Sequence, residues 1–303
     1  MLIAIPAALA AGACFALAGV FQQYEAAGRP SSESLSLRLL VALARRRLWL
    51  FGMFLALVSY GFQSVALAYG PLSLVQPLII SELVFAIPLS ARMRRVRLGR
   101  REWIGAAAVA LGLIAAIAAA DPRRGSTTIP TDDWLMALGA ATVISLVALA
   151  VSRRTRGSVR ASFIALAAGI IMGTQSALLD ATVTKFEQGA HAVFTAWQTY
   201  LLVFASIVGL LLIQSAYQAG PLSASAPVID ATEPAVAVVI GVVLFGETIR
   251  TGLVPSTVTV AGLLVLLAGI VLLDTSPVMA AVHKRAQATR PGHLRAKGHP
   301  RGG

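Results

Sequence analysis

The chain has 303 residues, 57% of them hydrophobic and only 13% charged, with a mean hydropathy of +0.79. Soluble domains carry about 25% charged residues, so this composition excludes an ordinary soluble protein and indicates an integral membrane protein. The formal net charge of +12 follows membrane topology along the chain and requires no nucleic-acid partner. The single cysteine, Cys14, excludes an internal disulfide.

Nine apolar runs each supply the roughly 20 residues that a helix needs to cross a bilayer. In chain order they cover about 3–24, 48–69, 71–91, 102–120, 132–151, 160–183, 191–214, 221–245 and 254–273. They predict an all-α polytopic membrane bundle of about nine transmembrane helices. The segment 34–44 is short and carries Arg38 at its middle, so we expect an interfacial helix there, with a tenth span as the alternative.

The connections between these runs divide the basic residues unevenly. The connections at 25–47, 92–101 and 152–160, together with the tail after residue 274, hold 21 of the 25 Lys and Arg residues, and the opposite set holds four. The positive-inside rule predicts a multi-pass protein of the cell (inner) membrane with its N-terminus outside and its C-terminus in the cytoplasm. The clustered positive charge also favours contact with anionic lipid headgroups.

An internal repeat organises the chain. The tetrapeptide Gly-Pro-Leu-Ser occurs at 70–73 and again at 220–223, and Gly105 and Gly112 recur as Gly262 and Gly269 with the same spacing. The first tetrapeptide falls outside and the second inside, which predicts two inverted units of four helices joined by one helix. The expected units are a first repeat over 1–120, a linking helix with its loops over 121–159 and a second repeat over 160–274. A disordered basic cytoplasmic tail over 275–303 completes the chain.

Four carboxyl side chains fall in the interior of the predicted spans, away from their ends, where no basic residue lies equally deep. They are Glu82, Asp180, Asp230 and Glu233. A charge at the bilayer centre costs about 3 kcal/mol on insertion scales, so such groups normally face a cavity or a partner. These acids therefore predict a binding site for a cation or for protons. A carboxylate that is protonated and serves packing alone is the structural alternative for each, and Asp180 has a candidate partner in Lys185.

Prolines and amides accompany these acids. Pro77 and Pro227 lie a few residues before Glu82 and Asp230, and we expect each proline to break its helix and free a carbonyl toward the cavity. Gln76 and Gln175 are the amides that we expect to contribute to the site, with interhelical hydrogen bonding as their alternative role. The paired glycines predict close helix packing. No phosphate loop, zinc-protease motif or Ser-His-Asp arrangement occurs, so we expect neither an enzyme nor a cofactor.

With these residues in view, the chain resembles the drug/metabolite transporter superfamily, whose two halves are inverted EamA-type repeats. Residues 245–248 (Phe-Gly-Glu-Thr), followed by Gly262 and Gly269, are similar to the end of the second repeat. Within the superfamily the chain looks most like the NIPA-type magnesium transporters, on residues 12–15, 49–53 and 68–78. In the first repeat, the arginine-rich residues 94–101 occupy the place of the Gly-Glu turn, with Glu102 late.

The resemblance implies a transporter fold. We expect a secondary transporter that moves a cation, with magnesium as the candidate that the resemblance supplies, by alternating access around a central acidic site. One alternative is a proton-coupled exporter of a small organic metabolite or drug. Another is a membrane scaffold without transport. A homodimer is compatible with the sequence, which does not require one, and the acids alone assign no particular metal.

Overall fold

A computed structural model describes residues 1–26, 43–94, 97–126, 129–186 and 188–276. These residues form eleven α-helices and no strand beyond one isolated bridge. The helices are α1 (Ala4–Ala26), α2 (Arg47–Tyr69), α3 (Leu72–Ile79), α4 (Glu82–Arg94), α5 (Arg100–Ala120), α6 (Thr131–Arg154), α7 (Gly157–Phe186), α8 (Ala190–Thr195), α9 (Trp197–Ala219), α10 (Leu222–Val243) and α11 (Leu253–Asp274).

Within the described part of the chain, nine helical segments are long and apolar enough to cross a bilayer, which confirms the predicted all-α polytopic bundle. Eight of the nine match the predicted runs to within a few residues. They include the third, in which α3 and most of α4 together form one span. The seventh run begins too early in our prediction, because residues 190–195 form the separate helix α8. The chain is extended at Ala196 and the spanning helix starts at Trp197.

Both Gly-Pro-Leu-Ser motifs form the same tight connection between two helices. The residue before each proline is extended, as the proline ring requires, and Pro71 and Pro221 adopt nearly equal backbone angles (φ −70°, ψ 154° and φ −67°, ψ 146°). Helices α3 and α10 begin at the next residue. Proline suits this place, since the first helical turn has no internal partner for its N–H groups.

The two halves of the bundle pack in the same pattern. In the first half, α1 packs against α2 and against α3 and α4; in the second, α7 packs against α9 and α10. Across the halves, α3 packs against α10 and α5 packs against α11. The helices that follow the two repeated tetrapeptides therefore meet at the centre of the molecule.

The repeated glycines form the contact between α5 and α11, as the sequence predicts. A Cβ atom on Gly112 would lie 2.5 Å from the backbone N of Leu266 and 2.6 Å from the carbonyl O of Gly262. A Cβ on Gly269 would lie 2.7 Å from the backbone N of Val109. Only glycine allows the two backbones to approach so closely.

Contacts between the connections define two ends of the bundle, named here the Arg124 end and the Arg101 end. At the Arg124 end, Arg123 bridges to Thr248 through paired backbone hydrogen bonds of 2.9 and 3.1 Å. At the Arg101 end, the Arg101 guanidinium donates to the hydroxyl of Thr275. The proposed interfacial helix at 34–44 lies almost wholly outside the described residues, and so does the predicted tail from residue 277 onward.

Candidate functional site

Three of the four predicted acids come together near the place where α3 packs against α10. Glu82, the first residue of α4, lies within electrostatic range of Asp230 and Glu233 on α10. Asp230 and Glu233 are three residues apart and so share one helix face. Each of the three retains some exposed surface although it lies deep in the bundle. Carboxyl groups from both repeats thus converge on one region.

A fourth carboxyl group, which our sequence reasoning missed, joins this region from α11. Asp274, the last residue of α11, has no exposed surface. Its carboxyl group lies beside that of Asp230 and within electrostatic range of Glu82. We call Glu82, Asp230, Glu233 and Asp274 the central acidic cluster. In the sequence, Asp274 directly follows the apolar run 254–273. That position is equally typical of an exposed residue at the membrane surface, and so the sequence did not single it out.

A break in the third span positions Glu82. The backbone N–H groups of Leu83 and Val84 bond three residues back, to Ile80 and Ser81, so the regular helical ladder is interrupted between α3 and α4. The break falls three residues after Pro77, as predicted, and packs against Gly12 of α1, where a Cβ atom would lie 3.1 Å from the carbonyl O of Ile79.

The corresponding break in the second repeat is absent, and our prediction for Pro227 is wrong. Helix α10 runs continuously from Leu222 to Val243 with Pro227 inside it. Each of the two prolines inside α10, Pro227 and Pro234, removes one backbone donor, yet α10 stays helical and packed along α7. Asp230 and Glu233 therefore project from an intact helix, whereas Glu82 follows a broken one.

Two aromatic rings lie beside the central acidic cluster. Tyr60 of α2 is within electrostatic range of Glu82 and Glu233. Its ring makes an edge-to-face contact with Phe15 of α1, with centroids 5.1 Å apart and planes at 87°. Aromatic faces next to carboxylates can stabilise an organic cation through both charge and the ring quadrupole.

The two predicted amides are buried and incompletely bonded. Gln76 and Gln175 each expose only 2% of their surface. The side-chain nitrogen of Gln76 and the side-chain oxygen of Gln175 have no hydrogen-bond partner among the described residues. Buried polar atoms are normally paired, with protein groups or with water. These two atoms are therefore available to water or to a polar ligand.

Asp180 lies outside the central acidic cluster, contrary to our prediction that it contributes to the cation site. Its carboxylate forms an ion pair of 3.2 Å with Arg124, and not with Lys185. The Arg124 guanidinium also donates to the carbonyl oxygens of Leu67 and Ala68, at the end of α2. Asp180 thus has a structural partner that the sequence spacing did not reveal.

Glu247, from the Phe-Gly-Glu-Thr segment, binds the start of α3. Its carboxylate accepts the backbone N–H groups of Leu72 and Ser73 at 2.6 and 2.9 Å. The first helical turn presents unpaired donors and a partial positive charge, so an anion is stabilised there. Glu102 of the first repeat instead accepts the N–H of Gly99, ahead of its own helix, at 2.8 Å.

A small cavity of about 70 Å³ lies at the Arg124 end between these two interactions. Its lining includes Arg124, Asp180, Lys185, Glu247 and Trp134. The volume suffices for a few water molecules. Trp134 packs edge-to-face against Trp197 and Phe245 beside it. The cavity therefore combines charged groups with a rigid aromatic wall, at a distance from the central acidic cluster.

The central acidic cluster has no preformed metal geometry. In the described part of the chain, no three His, Cys, Asp or Glu side chains are arranged to hold one metal ion. Magnesium commonly keeps several waters and uses only one or two carboxylates. This arrangement therefore suits a hydrated ion better than one that has lost its water shell.

Comparisons with known proteins name no activity. No protein-family model matches the sequence, and no solved structure matches it. A protein of Corynebacterium glutamicum, described only as uncharacterized, is 29% identical over 287 residues, which cover 94% of this chain and 99% of that protein. The likeness thus extends from end to end of both chains.

Proposed function

We propose that this protein is a secondary transporter that moves a cation through the bundle by alternating access. The observation that carries the proposal is the convergence of Glu82, at the start of α4, with Asp230 and Glu233 of α10, one helix from each repeat of the sequence. No described Lys or Arg forms an ion pair with any of them. Because uncompensated carboxylates in a membrane interior are costly, a mobile cation is the natural partner.

Two inverted halves around this cluster suit alternating access. A rocking motion of one half against the other would expose the same acids first to one side and then to the other. The same arrangement fits the drug/metabolite transporter superfamily that the sequence resembles. We propose that the protein lies in the cell membrane, with the Arg124 end outside and the Arg101 end in the cytoplasm.

Hydrated magnesium is the first candidate substrate. The test is flux into liposomes that contain a magnesium-sensitive dye, comparing the wild type with Glu82→Gln and with the pair Asp230→Asn/Glu233→Gln. We expect both variants to lose at least tenfold in flux. Asp133→Asn, an acid at the start of α6, is the control and should retain wild-type flux. Wild-type protein that is folded but transports no magnesium under an imposed potential would rule out this substrate.

An organic cation is the second candidate, favoured by the contact between Phe15 and Tyr60 beside the acids. A proton-coupled exporter of such a compound would use the same cluster. Alkylammonium ions of increasing size serve as probes in the same liposomes, with a pH gradient imposed. Tyr60→Leu should weaken the transport of an alkylammonium ion severalfold and leave magnesium flux unchanged. Equal effects on both would remove the case for an aromatic contact.

A further inference from the structure

The carboxyl pair formed by Asp230 and Asp274 has a chemical consequence of its own. Two ionised carboxylates cannot hydrogen-bond to each other, because neither has a donor. A hydrogen bond between them requires one proton, which the two oxygens share. The two carboxyl groups are neighbours, and both oxygens of Asp274 are buried without any other partner among the described residues, so the arrangement suits a pair that holds one proton.

Nothing else among the described residues satisfies Asp274. The residue is fully buried, and outside the pair no N–H or O–H group of the described residues donates to either of its carboxylate oxygens. A buried ionised carboxylate without donors carries the full cost of desolvation. A proton held with Asp230 removes that cost.

The charged groups around the pair come from three elements. Glu82 at the start of α4 and Glu233 on α10 add negative charge. Arg101 of α5 binds the hydroxyl of Thr275, the residue after Asp274. The pair therefore lies between the rest of the acidic cluster and the basic Arg101 end.

We propose that Asp230 and Asp274 form a proton-exchange site that couples proton movement to cation binding. The inference rests on the proposed transport function. When a cation approaches Glu82 and Glu233, the shared O–H bond breaks, one proton leaves to solution and two carboxylates remain. When the cation departs, one proton returns to the pair. Each cycle thus exchanges one proton for part of the charge of the substrate.

The first test is infrared difference spectroscopy of the purified full-length protein, which follows the C=O stretch of protonated carboxyl groups and needs no substrate. In the wild type we expect a carboxyl band that persists at about pH 7, above the range where exposed Asp and Glu ionise. Asp274→Asn should abolish it, because the asparagine amide can donate a hydrogen bond to ionised Asp230 and has no ionisable carboxyl proton to share. Glu233→Gln is the matched control and should retain the band of the pair. No such band in the wild type, or the same band in Asp274→Asn, would overturn the inference.

The second test is flux driven by a pH gradient in liposomes. Asp274→Asn should respond to the pH gradient at least tenfold less than the wild type, where the response is the flux with the gradient divided by the flux without it in the same variant. Asp274→Glu restores the carboxyl group and should recover part of the response. An unchanged pH response in Asp274→Asn overturns the proton pair and leaves the transport function standing, whereas a wild type without any flux overturns the transport function and leaves the infrared result to decide the pair.

Discussion

The carboxylate of Glu247 accepts the backbone N–H of Leu72 at 2.6 Å, although 175 positions separate the two residues in the chain. Glu247 precedes the last helix of the second repeat, and Leu72 begins the half-helix α3 of the first. Helix α3 ends at Ile79, immediately before the break that leads to Glu82. The Glu247 carboxylate therefore holds the start of α3, and the end of α3 leads into the break that positions Glu82.

Replacing Glu247 with Gln should destabilise the protein. The amide keeps one acceptor but loses the negative charge that binds two N–H groups at a helix start, at a cost of about 2 kcal/mol. The measurement is the thermal unfolding midpoint in detergent. Glu102→Gln is the matched control, since Glu102 caps only its own helix, and it should cost less, about 1 kcal/mol. Equal losses in the two variants would contradict a special role for the contact between repeats.

The ion pair of Arg124 with Asp180 should show strong coupling. Arg124→Ala leaves a carboxylate that is 7% exposed without its cation, and we expect a loss of about 2 kcal/mol, reduced from the fully buried case because Arg124 is partly exposed. Asp180→Asn in the same chain should recover part of this loss. Lys185→Ala is the control in the same cavity and should leave stability unchanged. Additive effects of Arg124→Ala and Asp180→Asn would show that the two groups act independently.

The glycine positions in the contact between α5 and α11 should not tolerate a larger residue. Gly112→Ala places a methyl group against the backbone of Leu266 and Gly262, so the helices must separate, at a cost of about 1–3 kcal/mol. Gly139→Ala on α6 meets no atom within 4 Å and should be neutral or stabilising by up to about 1 kcal/mol. Comparing the unfolding midpoints of the two variants checks this, and a neutral Gly112→Ala would refute the close approach.

Much of this architecture is local and so was predictable from the sequence. Spans follow from runs of apolar residues, and the turn at 70–73 follows from proline chemistry. The glycine contact followed from matched spacing in two copies. The position of Glu82, Asp230 and Glu233 on facing helices also followed, because the repeat places corresponding segments around one centre.

The missed features depend on long-range packing. Lys185 is five residues from Asp180 and looked like its partner, but Arg124 reaches it from a connection 56 residues away. The burial of Asp274 depends on how α11 packs against α5 and α10, which the final residue of an apolar run does not reveal. Whether a proline breaks its helix depends on neighbouring helices, and so Pro77 and Pro227 differ.

The proposed orientation can be tested with single cysteines. Among the described residues, the Arg124 end bears few basic residues and the Arg101 end bears most of them, so we expect the first outside and the second in the cytoplasm. With Cys14→Ala as background, Asp132→Cys at the start of α6 and Arg156→Cys just after its end place exposed thiols at opposite ends of one span. A membrane-impermeant maleimide added to intact cells should label Asp132→Cys, while Arg156→Cys should react only after the membrane is permeabilised. The reverse pattern would invert the topology and place the proton-exchange pair nearer the outer surface.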